Sequence, residues 1–171
     1  MSDSRSKSGF VGSISAIADG TGAVRMEDVY ATSAEDLWSA LTDPERLARW
    51  IGSVAGDLRV GGAFHVRFTS GWEGPGRVEI CRQPERLLLV MAPGSAAETE
   101  IEATLTAAGD RTRLVIEERG IPIEHLPGHG AGWQAHVEDL AAHLAGRERQ
   151  DWQARWLELT PSYEASRDEL Q

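Results

Sequence analysis

The chain has 171 residues, 41% of them hydrophobic, and a formal net charge of −10 from 27 acidic and 17 basic residues. This length suits a single domain that buries its own core, and the negative charge disfavours binding to nucleic acid or to an anionic membrane. No apolar run approaches the roughly 20 residues that cross a bilayer, so membrane insertion is not expected. The N-terminus lacks the apolar segment of a secretory signal, and Cys81 has no second cysteine to pair with. We therefore expect a cytoplasmic protein.

The first third of the chain predicts a tail, a β-hairpin and two short helices. Residues 1–9 are rich in serine and charge and are expected to be disordered. Residues 10–31 predict two strands around an Asp-Gly turn. Ser33 is a predicted N-cap for a helix over "SAEDLWSALT". Pro44 ends that helix and, with Asp43, begins a second one in "DPERLARWI".

The middle of the chain predicts a meander of about six strands. Apolar and polar residues alternate in "AFHVRF" and "GRVEIC", whereas "RLLLVM" is apolar on both faces, as a covered strand should be. The segments "ETEIEATL" and "TRLVIEE" flank a Gly-Asp turn and predict a hairpin. Strands joined in this way form one antiparallel sheet.

A long helix is predicted next, over residues 131–146. Four side chains at helical spacing mark its buried face: Trp133, Val137, Leu140 and Leu144. A second amphipathic segment follows and predicts a helical extension over 147–171 that packs on the domain. One sheet covered by one long helix is an α+β architecture.

Five runs, taken in order, resemble a known superfamily: "SAEDLWSALTDPERLARW", "VGGAFHVRF", "GRVEICRQPERLLLVM", "GDRTRLVIEERGIP" and "GWQAHVEDLAAHL". Together they are similar to the START-like, or polyketide cyclase-like (SRPBCC), superfamily, in the branch named for homologues of the heat-shock-protein ATPase activator. The resemblance implies a helix-grip fold over residues 10–146. In that fold a curved antiparallel sheet of six to seven strands wraps around a long C-terminal helix and encloses a cavity. Members bind lipids, hormones or polyketides, and the shared motifs belong to the scaffold, so no catalytic set carries over.

Strand alternation and the helix stripe predict which side chains face such a cavity. For each residue alone, plain core packing is the competing interpretation. As a set they predict a partly hollow interior of roughly a few hundred Å3. The predicted lining residues are Trp50, Phe64, Val66, Phe68, Val78, Ile80, Leu87, Leu89, Met91, Ile101, Ala103, Leu105, Leu114, Ile116, Trp133, His136, Val137 and Leu140.

Glu118 is the polar residue that the same alternation directs inward, after Leu114 and Ile116. Burial raises the pKa of a carboxyl group, so Glu118 can anchor a polar ligand group or act as a general acid or base. The alternative is a hydrated position at the rim. His136, next to Val137 on the helix, can pair with Glu118 across the cavity and complete an acid/base couple.

The histidines do not predict a metal site. His125 and His129 are placed in a Pro/Gly loop, where their spacing ensures no common face. His129, His136 and His143 are seven residues apart, and two helical turns separate neighbours by ~10 Å, too far for one ion. No metal and no cofactor are predicted. Trp72, at the tip of "GWEGPG", is either a surface aromatic or a mobile lid.

Three functions remain open. The leading hypothesis is binding of an apolar small molecule (polyketide-, lipid- or aromatic-like) by a carrier, sequestering or self-resistance protein of bacterial specialised metabolism. The second is a cyclase or aromatase that uses Glu118 and His136 for proton transfer. The third is a co-chaperone, which ranks last because the activator that names the branch has an additional N-terminal domain. A non-catalytic protein is favoured, as a monomer or a homodimer.

Overall fold

A computed structural model describes residues 11–18 and 20–170, so the predicted tail over 1–9 lies outside the described residues. In this part of the chain the strands are β1 (Val11–Ala18), β2 (Thr21–Tyr30), β3 (Gly52–Gly56), β4 (Ala63–Phe68), β5 (Glu73–Arg82), β6 (Arg86–Met91), β7 (Thr99–Ala108) and β8 (Arg111–Pro122). The helices are α1 (Ala34–Thr42), α2 (Pro44–Trp50), α3 (Leu126–Leu144) and α4 (Trp152–Asp168), with a 3-10 turn at Ile123–His125.

The described strands form one eight-stranded sheet in the order β1-β2-β8-β7-β6-β5-β4-β3, and every neighbouring pair is antiparallel. The predicted α+β helix-grip class is confirmed, with one strand more than the six to seven expected. The additional strand is β3, whose sequence "GSVAG" contains few residues that favour strands. The segment "DLRV" that follows it lies in the connection between β3 and β4.

The two short helices begin at the predicted caps. The Ser33 hydroxyl accepts from the Asp36 amide at 3.1 Å, and the Asp43 carboxylate accepts from the Glu45 amide at 3.0 Å. These bonds satisfy amides that a helix leaves free at its start. The Trp50 indole N–H donates to the Ala40 carbonyl oxygen at 2.9 Å and ties α2 to α1. Trp50 is thereby fixed at one end of the sheet.

Helix α3 begins earlier than predicted, at Leu126 instead of residue 131. Pro127 lies in its first turn, where a helix tolerates proline because that amide has no intrahelical partner. The prediction that His129 lies in a loop is therefore wrong, since His129 belongs to the first turn and a half of α3. This placement brings His129 to the end of β8, because only the 3-10 turn separates the two elements.

Helix α4 packs against α3 where α3 carries small residues. A Cβ atom on Gly130 would lie 2.5 Å from the Tyr163 ring, so only glycine leaves room for that ring. The Trp156 indole N–H donates to the Gly128 carbonyl oxygen at 2.9 Å, and Arg155 forms an ion pair with Glu138 at 2.8 Å. These contacts hold α4 alongside α3, from Gly128 near the start of α3 to Glu138 in its C-terminal half. None of the helices in the described part of the chain has the length and apolar character needed to cross a bilayer.

Candidate ligand-binding site

The space between the sheet and α3 contains an inner compartment of about 90 Å3. Apart from Thr42, the described residues around it are apolar or aromatic. The predicted residues that line it are Trp50, Phe64, Val66, Phe68, Val78, Leu87, Leu89, Met91, Ile101, Ala103, Ile116 and Trp133. Strands β4, β6 and β7 contribute alternate residues, which is how a half-buried sheet presents one face to a cavity.

A larger mouth compartment of about 820 Å3 adjoins the inner one. The two are neighbours, because five residues line both: Ile51, Phe68, Met91, Ile101 and Trp133. The polar side chains of the mouth come from strands and helix alike: Thr69, Ser70, Thr99, Glu118, His125, His129, His136 and Gln153. Three more tryptophans, Trp72, Trp152 and Trp156, line it as well. The site is therefore an apolar recess behind a polar and aromatic mouth.

Glu118 is directed into the mouth and is only 7% exposed. Three side chains donate to its carboxylate. The Thr99 hydroxyl bonds Oε2 at 2.8 Å, the Trp133 indole N–H bonds Oε1 at 2.8 Å, and His129 Nδ1 lies 3.0 Å from Oε1. A buried carboxylate with this many donors is a built position and not a hydrated rim residue.

The pKa of Glu118 moves in the direction opposite to the one predicted from burial alone. Burial raises the pKa, but the hydrogen bond and charge of His129, with the bonds from Trp133 and Thr99, together outweigh it. The pKa of Glu118 therefore lies below its ordinary value, and the group is a carboxylate at neutral pH. It accepts hydrogen bonds and cannot donate a proton in this state.

The predicted pair of Glu118 with His136 is wrong, because the imidazole that meets Glu118 is that of His129. His129 precedes His136 by two helical turns and lies next to the end of β8. His136 instead packs among the rings of Trp152, Trp133 and Phe68, at centroid distances of 5.3, 5.9 and 6.1 Å. Burial lowers the pKa of His136 to about 4, despite the opposing influence of the Trp50 backbone and the Glu118 charge. His136 is therefore neutral at pH 7.

Several predicted lining residues contact neither compartment in the described part of the chain. Leu105, Leu114, Val137 and Leu140 are buried in the core between the sheet and the helices, where packing leaves no space beside them. The prediction that Ile80 lines the cavity is wrong for a different reason. A bulge at Glu79 shifts the register of β5, so Ile80 pairs with Leu88 on the outer face and Cys81 pairs with Leu87 on the inner one.

Sequence reasoning missed one residue of the acid/base pair and part of the inner wall. The Pro/Gly run around His129 predicts a loop and hides the start of α3. Trp152 and Trp156 belong to the predicted helical extension, and they also line the mouth. Other inner wall residues lie outside the predicted set: Leu41, Thr42, Leu47, Ile51, Val54 and Leu58. Across residues 11–18 and 20–170, no group of three His, Cys, Asp or Glu side chains is arranged to hold a metal ion.

An antiparallel sheet that wraps around a long helix, with a cavity between them, is the helix-grip fold of the START-like superfamily. Within it, the chain belongs to the family of Activator of Hsp90 ATPase homolog 1-like proteins, whose sequence model matches residues 31–145. The superfamily and branch expected from the sequence are thus confirmed. No curated protein matches the chain.

Two solved proteins illustrate the likeness. The crystal structure of CalU16 from Micromonospora echinospora is 23% identical with a TM-score of 0.77, over 93% of this chain and 98% of CalU16. Its solution structure gives a TM-score of 0.79 at 22% identity. DynU16, a protein in the dynemicin biosynthetic locus, is 28% identical with a TM-score of 0.68 over 78% of this chain. The match covers 51% of DynU16, so the chain spans about half the length of that protein.

Proposed function

We propose that this protein binds an apolar small molecule, with the apolar body in the inner compartment and a polar group in the mouth. The observation that supports this most directly is the apolar inner compartment next to a mouth that contains a carboxylate. A ligand that buries ~300 Å2 of apolar surface gains about 7 kcal/mol before the costs of ordering it. Burial alone can therefore supply useful affinity.

The role we propose is that of a carrier, sequestering or self-resistance protein in the cytoplasm of a bacterium with specialised metabolism. Family membership favours a ligand-binding domain. The likeness to DynU16, a protein in a biosynthetic locus, favours a polyketide-like or aromatic ligand over an ordinary metabolite.

The binding proposal is tested by filling the inner compartment. Ala103 lines that compartment from β7, so Ala103→Phe should weaken binding of the neutral fluorescent probe N-phenyl-1-naphthylamine at least about tenfold. Ala107→Phe is the matched control, because Ala107 lies on the same strand and is exposed. The dissociation constant is measured by fluorescence titration, and the melting temperature of each variant checks that it folds.

A second filled variant keeps the test valid if Ala103→Phe does not fold. Val78→Phe fills the same compartment from β5, so both filled variants should lose the probe. The probe should also raise the melting temperature of the wild-type protein by mass action. Equal affinity in the wild type and in either folded, filled variant contradicts binding in this cavity.

One observation favours a second candidate function, an enzyme of the cyclase or aromatase kind. Glu118 Oε1 lies 3.0 Å from His129 Nδ1, which leaves Nε2 of His129 free for proton transfer in the mouth. The acid/base couple of this candidate function is Glu118 with His129, in place of the predicted couple of Glu118 with His136. Mass spectrometry after incubation distinguishes the functions. A binder leaves each stabilising compound unchanged, whereas an enzyme consumes it and loses turnover in Glu118→Gln and His129→Gln.

A further inference from the structure

Two buried polar atoms, one on α3 and one on α4, have no hydrogen-bond partner in the described residues. They are Nδ1 of His136 and Nε1 of Trp152. The two rings are neighbours, with centroids 5.3 Å apart. Buried polar atoms without partners are rare in folded proteins, because each has lost its hydrogen bonds to water without replacement. Two of them on adjacent rings indicate a position where a partner of suitable chemistry fits.

Both rings line the mouth compartment, and the two nitrogen atoms lie buried directly behind its wall. His136 is only 6% exposed, and its other ring neighbours, Phe68 and Trp133, line the mouth as well. Aromatic walls of this kind accept a flat ring by stacking or edge contact. A ligand ring in the mouth therefore places its substituents beside the two unpaired atoms.

The two atoms have complementary hydrogen-bonding roles. The Trp152 indole nitrogen only donates. The His136 ring is neutral at pH 7, and the Trp50 backbone accepts from it. Because Nδ1 has no partner, the ring proton belongs on Nε2, and Nδ1 is left as an acceptor. The pair therefore offers one donor and one acceptor.

We propose that His136 and Trp152 form a subsite that recognises a hydroxyl group on an aromatic ligand. The hydroxyl hydrogen is donated to His136 Nδ1, and the hydroxyl oxygen accepts from the Trp152 N–H. This inference rests on the proposed function and names the ligand class for the same cavity.

Other polar groups fit this subsite less well. A carbonyl oxygen only accepts and an ammonium group only donates, so each leaves one of the two atoms unpaired. A carboxylate also only accepts, and it is repelled by the ionised Glu118 in the same compartment. A hydroxyl group both donates and accepts at a single oxygen. Because both protein atoms are closed to solvent, the hydroxyl reaches them when the Trp152 ring, at the start of α4, moves away from His136 with its N–H still within reach of the hydroxyl oxygen.

The test compares 2-naphthol with 2-methylnaphthalene, in which a methyl group of similar size replaces the hydroxyl. Dissociation constants are measured by equilibrium dialysis at pH 7. The wild-type protein should prefer 2-naphthol by about three- to tenfold, the effect of one net hydrogen bond. His136→Phe keeps a ring but removes the acceptor, so the preference should disappear while 2-methylnaphthalene still binds. Trp152→Phe should reduce the preference.

The matched control is His143→Phe on the same helix, because His143 contacts Arg46 and lies away from the cavity. It should keep the wild-type preference. Equal affinity of the wild type for both probes, or an unchanged preference in His136→Phe, overturns the subsite and leaves the proposed function standing. If neither probe binds a wild-type protein that does bind N-phenyl-1-naphthylamine, the subsite is overturned and the proposed function stands. If His136→Phe does not fold, an unchanged preference in Trp152→Phe is sufficient to reject the subsite.

Discussion

The inner and mouth compartments adjoin each other but are built in different ways. The inner compartment is lined by alternate residues of several strands, closed at one end by Trp50. The mouth is assembled from single residues of separate elements: Thr99 from β7, Glu118 from β8, His129 and His136 from α3, and Trp152 from α4. The first therefore depends on strand register, and the second depends on where helices begin and how they dock.

The difference extends to energetics. The inner wall is held by packing, so its residues contribute to folding whether or not a ligand is present. The mouth contains a carboxylate with three donors beside two polar atoms without partners. Unpaired buried groups cost stability, and natural proteins keep them mainly where function requires them. We therefore expect stability to depend most on the inner wall and ligand preference to depend most on the mouth.

The largest effect is expected from tryptophan truncation in the two regions. Trp50→Ala removes a side chain that is 2% exposed together with its bond to the Ala40 carbonyl, so it should cost about 3–5 kcal/mol of unfolding free energy. Trp72→Ala in the mouth, where the side chain is 39% exposed, should cost less than about 1 kcal/mol. Urea denaturation measures both, and similar losses would contradict the distinction.

A smaller loss of unfolding free energy is expected when the pH is lowered, because His136 is buried as a neutral ring. Its pKa falls from 6.5 to about 4 on folding, so the unfolded state binds a proton that the folded state does not between these values. The contribution of the neutral His136 ring to the free energy of unfolding is therefore fully present above pH 6.5 and is lost as the pH falls toward 4. Between pH 7.5 and pH 5 the loss from this residue should be about 2 kcal/mol.

The variant His136→Phe isolates that contribution. Denaturation of the wild type and the variant at both pH values should show a smaller loss in the variant by the same amount. Glu118 acts in the same direction at lower pH, because its pKa is lowered on folding and its contribution is lost as it becomes protonated. A wild-type profile that matches the variant between pH 7.5 and pH 5 would show that His136 is not buried as a neutral ring.

Most of the fold could be predicted because its signals are local. Capping residues such as Ser33 and Asp43 fix helix starts within a few positions, and alternation fixes which face of a strand is apolar. The inner wall follows from the same alternation. Leu105 and Leu114 show its limit, since alternation identifies the inner face but does not say where on that face the packing leaves space.

The mouth could not be predicted because it depends on features that a periodic pattern does not contain. One unexpected helical turn at the start of α3 moves His129 from a loop to a place beside Glu118. The docking of α4, which brings Trp152 onto His136, depends on matching a large ring to glycines in another helix. Such contacts join residues far apart in sequence and leave no spacing signal in either segment.

The smallest effect concerns the bulge in β5, where sequence and structure assign opposite faces to one residue. Because Ile80 lies on the outer face, Ile80→Thr should change unfolding free energy by less than about 0.5 kcal/mol. The affinity for N-phenyl-1-naphthylamine should also be unchanged. Val78→Thr, two residues earlier, puts a hydroxyl group into the inner compartment and should cost about 1–3 kcal/mol and weaken the probe. Weakened probe binding in Ile80→Thr would mean that β5 continues without the bulge, and that Ile80, not Cys81, faces the ligand.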